Sequence, residues 1–452
     1  MKSTKKTKKQ TMGETMTEFD RIIGYESVKQ ELIRYCDAIK NPEKYKVLGV
    51  SVPRGILLHG DPGIGKTLIS ECFMKESGCK SFTIRRNLPT NDFIKHIQNC
   101  FEEASQNAPA IVLLDDLDKY ANADFKYRDA EEYIAVQSAI DEYTPKRVFV
   151  LATANDIDFL PPSLIREGRF NRIIELEYPK GKDARRILEH YLSSKHVADD
   201  IDMDEIEFFM SGKNCAALEK VVNDAGIHAA YEGKKAIDQN TLRESCIRYL
   251  TGSLYFGETE TDKERRRIVS IHEAGHAIVG EFWRSGSVKL TSLCGADSTH
   301  GGITVYNKAE GISTEDEVFQ NISTSLAGKA AVEVLLGGKD IGCASDVEHA
   351  RDYAEKYVSV ICAGGFDSFV PYRNASNYGL DNRDRNINDL LTEVYKITRE
   401  IVEENSRLVE EVADRLMLKD TLTYKDLEMV KTKVGWNKRK SRIKHSKLAM
   451  AE

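Results

Sequence analysis

The chain has 452 residues, too many for one ordinary hydrophobic core, and its length therefore predicts two or three domains. A hydrophobic content of 41% and a charged content of 30% are typical of a soluble globular protein. The net charge of −7 does not favour a nucleic-acid-binding protein.

The cysteines and the apolar residues indicate where the protein works. Nine cysteines are scattered without a C-x-x-C pair, which fits reduced thiols better than a disulfide framework. No stretch approaches the roughly 18–20 apolar residues that a membrane helix needs, and the start lacks the apolar core of a signal peptide. We therefore expect a soluble, cytoplasmic protein with no transmembrane segment and no nucleic-acid partner.

Both ends of the chain are basic. Residues 1–9 carry five Lys, residues 438–447 carry six Lys or Arg, and neither stretch contains an acid. We interpret these ends as disordered tails, with contact to nucleic acid or to an anionic membrane surface as the alternative.

The first folded elements surround a glycine loop. Phe19–Lys40 predicts a loop and an amphipathic helix, which Asn41-Pro42 ends. The apolar run 54–59 (RGILLH) is typical of a buried parallel strand, and the complete G-x-x-x-x-G-K-T pattern follows it at 60–67, with a helix after it. This context favours a phosphate-binding loop over an ordinary glycine turn.

The chemistry of this loop follows from its residue types. Glycines let backbone N–H groups face phosphate oxygens, and the helix N-terminus adds partial positive charge. Lys66 is placed to reach the β- and γ-phosphates of a nucleotide, and the Thr67 hydroxyl to hold Mg²⁺. The predicted nucleotide-binding residues are Gly60, Asp61, Pro62, Gly63, Ile64, Gly65, Lys66, Thr67 and Leu68.

Two further apolar strands end in polar residues. The run IVLLDD places Asp115 to hold Mg²⁺ and Asp116 where a water-activating carboxylate would lie, although a buried strand with a polar cap is the alternative. The run RVFVLATAN ends in Asn155, which could orient the attacking water. Because such strands alternate with helices up to about residue 178, we predict a parallel α/β sheet.

The next segment contains two arginines after a Pro-Pro turn. Arg166 and Arg169 are either salt-bridged surface residues or arginines offered to the nucleotide of a neighbouring subunit, and spacing alone does not decide between these. Lys180–Leu250 then shows helical periodicity without a strand, and the polar stretch Thr251–Lys263 is a plausible linker.

A metal-binding pattern lies in the run IVSIHEAGHAIVG, at residues 268–280. On a helix His272 and His276 share one face, so each can give an imidazole nitrogen to one zinc ion. Glu273 is then placed to take a proton from water at the metal. The alternative is a chance H-E-x-x-H on a surface helix, and the apolar neighbours argue against a solvated face.

Zinc in a catalytic site takes a third protein ligand. A third His six residues after the second is absent, because Val279 and Phe282 stand at the positions of the required Gly and His. Ser345 is the expected N-cap of a downstream helix, so Asp346 could equally be only a first-turn acid. The candidates for the third ligand are Asp346, Glu348 and His349.

The rest of the second half is predicted as mainly helical. Val288–Tyr306 predicts a small hairpin layer, and Phe319–Leu336 predicts one apolar helix. Asn388–Val430 predicts two more amphipathic helices.

Taken together, these residues resemble the FtsH family of ATP-dependent zinc metalloproteases. The similarity covers nearly the whole chain, about residues 19–430, and includes the phosphate loop, LLDD, LATAND, REGRF, HEAGH, LAGKAA and ASDVEHA in one order. It implies a parallel-sheet AAA+ ATPase module with a helical lid, followed by a mainly α-helical zinc peptidase domain. The implied boundaries are a tail over 1–18, the α/β subdomain over 19–178, the lid over 179–251, a linker over 252–264, the peptidase over 265–430 and a tail over 431–452.

The resemblance also implies roles for residues and partners. It implies His272, His276 and Asp346 as zinc ligands and Glu273 as the base. For the ATPase module it implies Mg²⁺ and ATP, a homohexameric ring and protein or polypeptide substrates. The implied ATPase residues are Lys66 and Thr67 at the nucleotide, Asp115 at Mg²⁺, Asn155 as sensor, and Arg166 and Arg169 as fingers in trans.

Three features depart from the family pattern. The family normally begins with membrane helices, and no such run occurs in this sequence. The acid after Asp115 is normally Glu but here is Asp116, whose side chain is one methylene shorter. The substrate-gripping loop normally carries an aromatic residue and Gly, whereas 86–90 reads RNLPT, so Leu88 or Phe93 would have to substitute.

We therefore predict an ATP-dependent zinc metalloendopeptidase with weakened ATP-driven pulling. One alternative is a zinc peptidase whose ATPase ring only assembles and gates it. The other is a nucleotide-switched, non-proteolytic scaffold, against which the intact HEAGH pattern argues.

Overall fold

The computed structural model describes residues 17–49, 53–121, 130–166, 168–252, 263–294, 301–307, 314–338, 342–362 and 377–436. Both basic ends lie outside these residues, as does most of the predicted linker. The chain divides into two compact units, Met1–His196 with Gly212–Asn223, and Val197–Ser211 with Asp224–Glu452. The domain boundaries predicted from the sequence stay predictions.

The first unit is built on a five-stranded parallel sheet, as the apolar runs predict. Its strands are β1 (Gly55–His59), β2 (Lys80–Ile84), β3 (Ala110–Leu114), β4 (Val148–Ala154) and β5 (Arg172–Glu175). Their order is β2-β3-β4-β1-β5. The three strands expected from the sequence are therefore confirmed as the centre of the sheet.

The two edge strands were not predicted, and their burial explains why. The side chains of β3 and β4 are buried throughout, whereas β2 buries only Ile84 fully and β5 only Ile174. An edge strand with exposed polar side chains shows no continuous apolar run, so hydrophobic pattern alone does not reveal it.

The described residues of the first unit before His196 form seven α-helices. They are α1 (Glu26–Lys40), α2 (Pro42–Lys46), α3 (Lys66–Ser77), α4 (Thr90–Gln106), α5 (Ala130–Tyr143), α6 (Pro162–Ile165) and α7 (Lys182–Ser193). One apolar cluster lies between the sheet and α4 and α5, and another between the sheet and α1 and α3. The carboxyl ends of the central strands are therefore held by apolar packing on both sheet faces.

Helices predominate in the rest of the chain. They are α8 (Met203–Met210), α9 (Cys215–Tyr231), α10 (Gln239–Thr251), α11 (Lys263–Trp283), α12 (Glu315–Ser325), α13 (Ala327–Leu336), α14 (Ala344–Glu355), α15 (Asn377–Glu404), α16 (Ser406–Lys419) and α17 (Tyr424–Val434). A small antiparallel sheet has the order β7-β6-β8, with β6 (Val288–Ser292), β7 (Ile303–Tyr306) and β8 (Thr421–Thr423).

The helix α11 lies at the centre of the second unit. It packs mainly against α13 and α16, and nearly every side chain from Ser270 to Trp283 is buried. Among the described residues, no helix is both long enough and apolar enough to cross a bilayer.

Three predictions about helices were wrong in detail. Phe319–Leu336 is two helices that meet at Leu326, not one. The helix of ASDVEHA begins at Ala344 with Cys343 as its N-cap, so Ser345 is not the cap. Asn388–Val430 contains most of α15, all of α16, the short strand β8 and the start of α17. The strand β8 was missed because it is too short to show an alternating pattern.

Candidate active sites in the two units

The glycine loop at 60–65 joins β1 to α3, as predicted. Gly60, Gly63 and Gly65 all have positive φ, which L side chains rarely adopt. At Gly60 a Cβ atom would also lie 2.4 Å from the backbone oxygen of Leu176. The loop therefore requires glycine for both conformation and space.

Lys66 opens α3 and is only 7% exposed. Its Nζ donates to the carbonyl of Gly60 at 2.5 Å, to the carbonyl of Asp61 at 3.0 Å and to Oδ1 of Asn155 at 2.9 Å. Burial lowers the pKa of Lys66. The structure thus brings together the predicted phosphate-contacting lysine and the predicted sensor, while Thr67 beside them is exposed.

The two acids after β3 have different surroundings. Asp115 accepts a hydrogen bond from Thr153 Oγ1 at 2.8 Å on one oxygen and from Arg85 Nε at 2.7 Å on the other. Asp116 has a left-handed backbone with φ +53°, and its carboxylate pairs with Lys119 at 2.5 Å. Both acids therefore have basic partners within this chain, which the sequence pattern did not indicate.

The two predicted arginine fingers differ in solvent exposure. Arg166 is exposed, whereas Arg169 is 2% exposed. Arg169 donates to both oxygens of Asp141, at 2.9 and 2.6 Å, and to the carbonyl of Ser163. The surface position of Arg166 fits a contact to another subunit, while Arg169 is held inside its own chain; the roles of both in trans stay predictions.

The predicted gripping loop is attached to its own unit through Arg86. The Arg86 guanidinium donates to the carbonyl of Leu88, lies over the ring of Phe93 and is 2.8 Å from the buried carboxylate of Glu132. Phe93 is fully buried, with its ring edge-on to Tyr120. The expectation that Phe93 could grip a substrate was therefore wrong, because of the two candidates only Leu88 is exposed.

In the second unit, the H-E-x-x-H residues lie on α11 beside the start of α14. The Nε2 atoms of His272 and His276 are 3.0 Å apart, and Asp346 Oδ2 lies 3.0 Å from the first and 3.3 Å from the second. These three residues form a group that could hold a metal ion. Glu348 and His349, the other candidates for the third ligand, are exposed and are not members of this group.

The spacing of the three atoms fits zinc. Ligands at roughly 2.0–2.1 Å in a tetrahedron are about 3.3–3.4 Å from one another. The separations of 3.0 to 3.3 Å are close to this value. Three protein ligands leave one coordination position for water or substrate, which is the arrangement of catalytic zinc sites.

Surrounding groups orient the three side chains. His276 Nδ1 is 2.8 Å from the carbonyl of Thr324, so a proton on Nδ1 leaves Nε2 free to bind the metal. This carbonyl is available because α12 ends at Ser325. Although burial alone would raise the pKa of Asp346, hydrogen bonds from His272 and His276 hold it well below its usual range.

Glu273 lies between the two histidines in the sequence and is 5% exposed. Burial raises the pKa of its carboxyl. Its Oε2 accepts a hydrogen bond of 2.8 Å from Thr304 Oγ1 on β7, and Thr304 Oγ1 is also 2.9 Å from Thr291 Oγ1 on β6. A raised pKa and a fixed orientation suit a general base.

Sequence reasoning missed several residues around this centre. Thr304 was seen only as part of a hairpin. Gly328, within LAGKAA, lies against His272, and a Cβ atom there would be 2.4 Å from the imidazole ring. Gly302 similarly lies against Glu273, where a Cβ atom would be 2.6 Å from its Cγ. The glycines were visible in the sequence, but their neighbours were not.

Comparison with known proteins agrees with this geometry. Residues 56–178 match the ATPase family associated with various cellular activities (AAA), and residues 259–430 match Peptidase family M41. The ATP-dependent zinc metalloprotease FtsH of Caldicellulosiruptor bescii is 30% identical over 445 residues, which cover 90% of this chain and 70% of the relative.

Two further relatives of the same name are similar to most of this chain. The ATP-dependent zinc metalloprotease FtsH 2 of Sphaerobacter thermophilus is 28% identical, over 92% of this chain and 66% of its own length. The ATP-dependent zinc metalloprotease FtsH of Mycoplasma pneumoniae is 27% identical, over 93% of this chain and 63% of its own length. The chain thus spans about two thirds of the length of these relatives.

Proposed function

Because the chain belongs to the FtsH family of ATP-dependent zinc metalloproteases, we propose that it is an ATP-dependent zinc metalloendopeptidase that degrades proteins or polypeptides. The observation that carries this proposal is the group of His272, His276 and Asp346, with the buried carboxylate of Glu273 beside it. The cofactors are Zn²⁺ in the second unit and ATP with Mg²⁺ in the first.

The peptidase residues have distinct tasks. His272, His276 and Asp346 would hold zinc, which when bound polarises a carbonyl and lowers the pKa of water toward ~7. Glu273 takes the proton from water and delivers it to the leaving amine of the cleaved peptide bond. Thr304 keeps the Glu273 carboxylate oriented for both transfers.

An extended polypeptide suits this site. Among the described residues, β7 is an edge strand of its sheet, and it carries Thr304 next to Glu273. An edge strand offers backbone N–H and C=O groups to a further strand. Pairing of a substrate with β7 would hold its backbone close to the carboxylate of Glu273, whatever the substrate side chains are.

The first unit would bind and hydrolyse ATP. Backbone N–H groups of the glycine loop and the Lys66 ammonium would hold the phosphates, and Thr67 and Asp115 would hold Mg²⁺. Asp116 activates water that Asn155 helps to orient. Arg166 is exposed and would complete the site from a neighbouring subunit of the proposed homohexameric ring.

We also propose that both units work in the cytosol. All nine cysteines are free thiols, which suits a reducing compartment. Fractionation of cells at moderate salt tests this placement, and recovery of the protein mainly in the membrane pellet would contradict it.

Two alternatives have specific observations in their favour or against them. A peptidase whose ATPase ring only assembles and gates it is favoured by the Asp116–Lys119 pair and by the anchoring of the gripping loop through Arg86. The complete set of three candidate zinc ligands argues against a non-proteolytic scaffold. Measuring the zinc content per chain would test this alternative.

The test of the proposed function is digestion of casein with and without ATP, repeated with a chelator. Cleavage that needs both ATP and zinc is expected. Cleavage that needs zinc but not ATP would favour the gated peptidase. The absence of cleavage by a zinc-loaded, ATP-hydrolysing protein would favour the scaffold.

A further inference from the structure

We propose that Arg85 competes with Mg²⁺ for the carboxylate of Asp115, so that binding of a magnesium nucleotide has to break an ion pair built into the first unit. Arg85 is thereby a positioning residue of the nucleotide site. The inference rests on the proposed binding of ATP and Mg²⁺ at residues 60–68 and Asp115.

The sheet places the two residues side by side. Arg85 directly follows β2 and Asp115 directly follows β3, and these parallel strands pair with Ile84 opposite Leu114. The N–H of Asp115 donates to the carbonyl of Ile84 at 3.0 Å, which continues the pairing by one residue. The position of Arg85 beside the magnesium-binding acid is therefore a consequence of strand register.

Contacts to the Asp115 carboxylate come from two sides. One oxygen accepts from Thr153 Oγ1 on β4 at 2.8 Å, which fixes the carboxylate against the sheet. The other accepts from Arg85 Nε at 2.7 Å. Because the carboxylate is only 10% exposed, the guanidinium supplies the positive charge that a cation would otherwise bring.

Arg85 can leave this position readily. Its side chain is 61% exposed, so the guanidinium can move into solvent without losing a buried environment. A pair in which one partner is largely exposed is weak. The pair therefore raises the Mg²⁺ concentration that the site requires but does not prevent binding.

The experiment measures binding rather than turnover. A non-hydrolysable ATP analogue is held at fixed concentration, and Mg²⁺ is titrated while nucleotide binding is followed by fluorescence. The proteins are the wild type, R85Q and R172Q, all as the full chain. Arg172 is the matched control, because it too lies at a strand of this sheet, is 53% exposed and pairs with a carboxylate, that of Glu31.

In R85Q, the Mg²⁺ concentration at half-saturation is expected to fall about two- to fivefold, the range expected for a weak pair whose guanidinium is exposed to solvent. R172Q should retain the wild-type value. Binding of the analogue in EDTA should be equal in all three proteins, because the Arg85–Asp115 pair does not involve the glycine loop.

An unchanged or raised half-saturation concentration in R85Q would overturn the inference. So would weaker metal-free binding in R85Q, because it would assign Arg85 to the phosphates instead. Failure of the proposed nucleotide site is distinguishable from both, since the wild type itself would then bind no analogue at any Mg²⁺ concentration.

Discussion

Thr304 Oγ1, on the edge strand β7, donates a hydrogen bond of 2.8 Å to Oε2 of Glu273 on α11. The same hydroxyl lies 2.9 Å from Thr291 Oγ1. Because an ionised carboxylate can only accept, Thr304 gives its proton to Glu273 and accepts that of Thr291. The orientation of the base therefore depends on two neighbouring strands.

Replacement of Thr304 by Val should lower kcat for peptide hydrolysis about tenfold or more. A hydrogen bond to a charged group contributes about 1.5–3 kcal/mol, and about 1.4 kcal/mol is a factor of ten in rate. Zinc content should stay at the wild-type level, because Thr304 touches no ligand. Thr304→Ser keeps the hydroxyl and is the control; a loss of rate as large as that of the Val variant would count against a role for the hydrogen bond.

Glu273→Gln should keep zinc and lose proteolysis, because the amide cannot accept the proton from water. The measurement pairs zinc content per chain with cleavage of an unfolded protein. Wild-type rates in this variant would refute the mechanism.

Asp346→Asn should lower zinc affinity, because the amide is a neutral and weaker ligand for the metal. Glu348→Gln is the matched control on the same helix, since its carboxylate is exposed and lies outside the ligand group. Zinc affinity is measured by competition with a chromogenic chelator. Loss of zinc from the Glu348 variant but not from the Asp346 variant would reassign the third ligand.

Gly328→Ala should weaken zinc binding on the order of 10- to 100-fold, the usual cost of disturbing a group that orients a ligand. A Cβ atom at this position would lie 2.4 Å from the ring of His272, which has to move away. Gly338→Ala is the control, because no atom lies within 4 Å of a Cβ there. Equal zinc affinity in the two variants would show that the His272 ring can adapt.

Replacing Arg166 should affect ATP turnover, whereas replacing Arg169 should affect stability. Arg166→Ala should abolish most ATP turnover and leave the melting temperature unchanged, because Arg166 is exposed. Arg169→Ala should lower the melting temperature, because it removes a buried side chain and leaves Asp141 and the carbonyl of Ser163 without their donor. Unchanged stability of the second variant would contradict this division.

Unfolded polypeptides should be cut readily and stably folded proteins poorly, even with ATP. The acid Asp116 is one methylene shorter than Glu and is paired with Lys119, and the loop 86–90 exposes Leu88 but no aromatic side chain. Degradation of casein is compared with that of a stable domain bearing an unstructured tag. Rapid ATP-dependent loss of the folded domain would contradict this expectation.

The companion measurement is the ATP turnover of Asp116→Glu, which should rise. A misplacement near 1 Å can cost on the order of 100-fold in rate, and the longer side chain brings the carboxylate nearer to the water. Lower turnover would mean that the left-handed backbone at this position already compensates for the shorter acid.

The features that sequence could predict are those carried by local pattern. The glycine loop, the central strands and the pair His272 and His276 follow from short-range spacing, because a strand–loop–helix and an i, i+4 pair are fixed by backbone geometry. The residues alone left open whether Asp346, Glu348 or His349 is the third metal ligand. The resemblance to the FtsH family was needed to choose Asp346. Of the three candidates, the structure places only Asp346 next to the two histidines.

Features that depend on contacts between distant segments were not predictable. Arg85 and Asp115 are 30 residues apart, and only the register of β2 against β3 places them together. The break at Leu326 frees a carbonyl for His276, which lies 48 residues earlier than Thr324. Periodicity describes one element at a time, so it carries no information on such pairs.

The buried carboxylate of Glu281, near the end of α11, accepts a hydrogen bond of 2.8 Å from Lys431 on α17. These residues are 150 positions apart. During synthesis α11 therefore leaves the ribosome long before Lys431, the residue that neutralises its buried acid. Removing one partner of a buried pair is strongly destabilising. We expect nascent chains that stop before Lys431 to be inactive toward casein; an active peptidase from such a chain would disprove this.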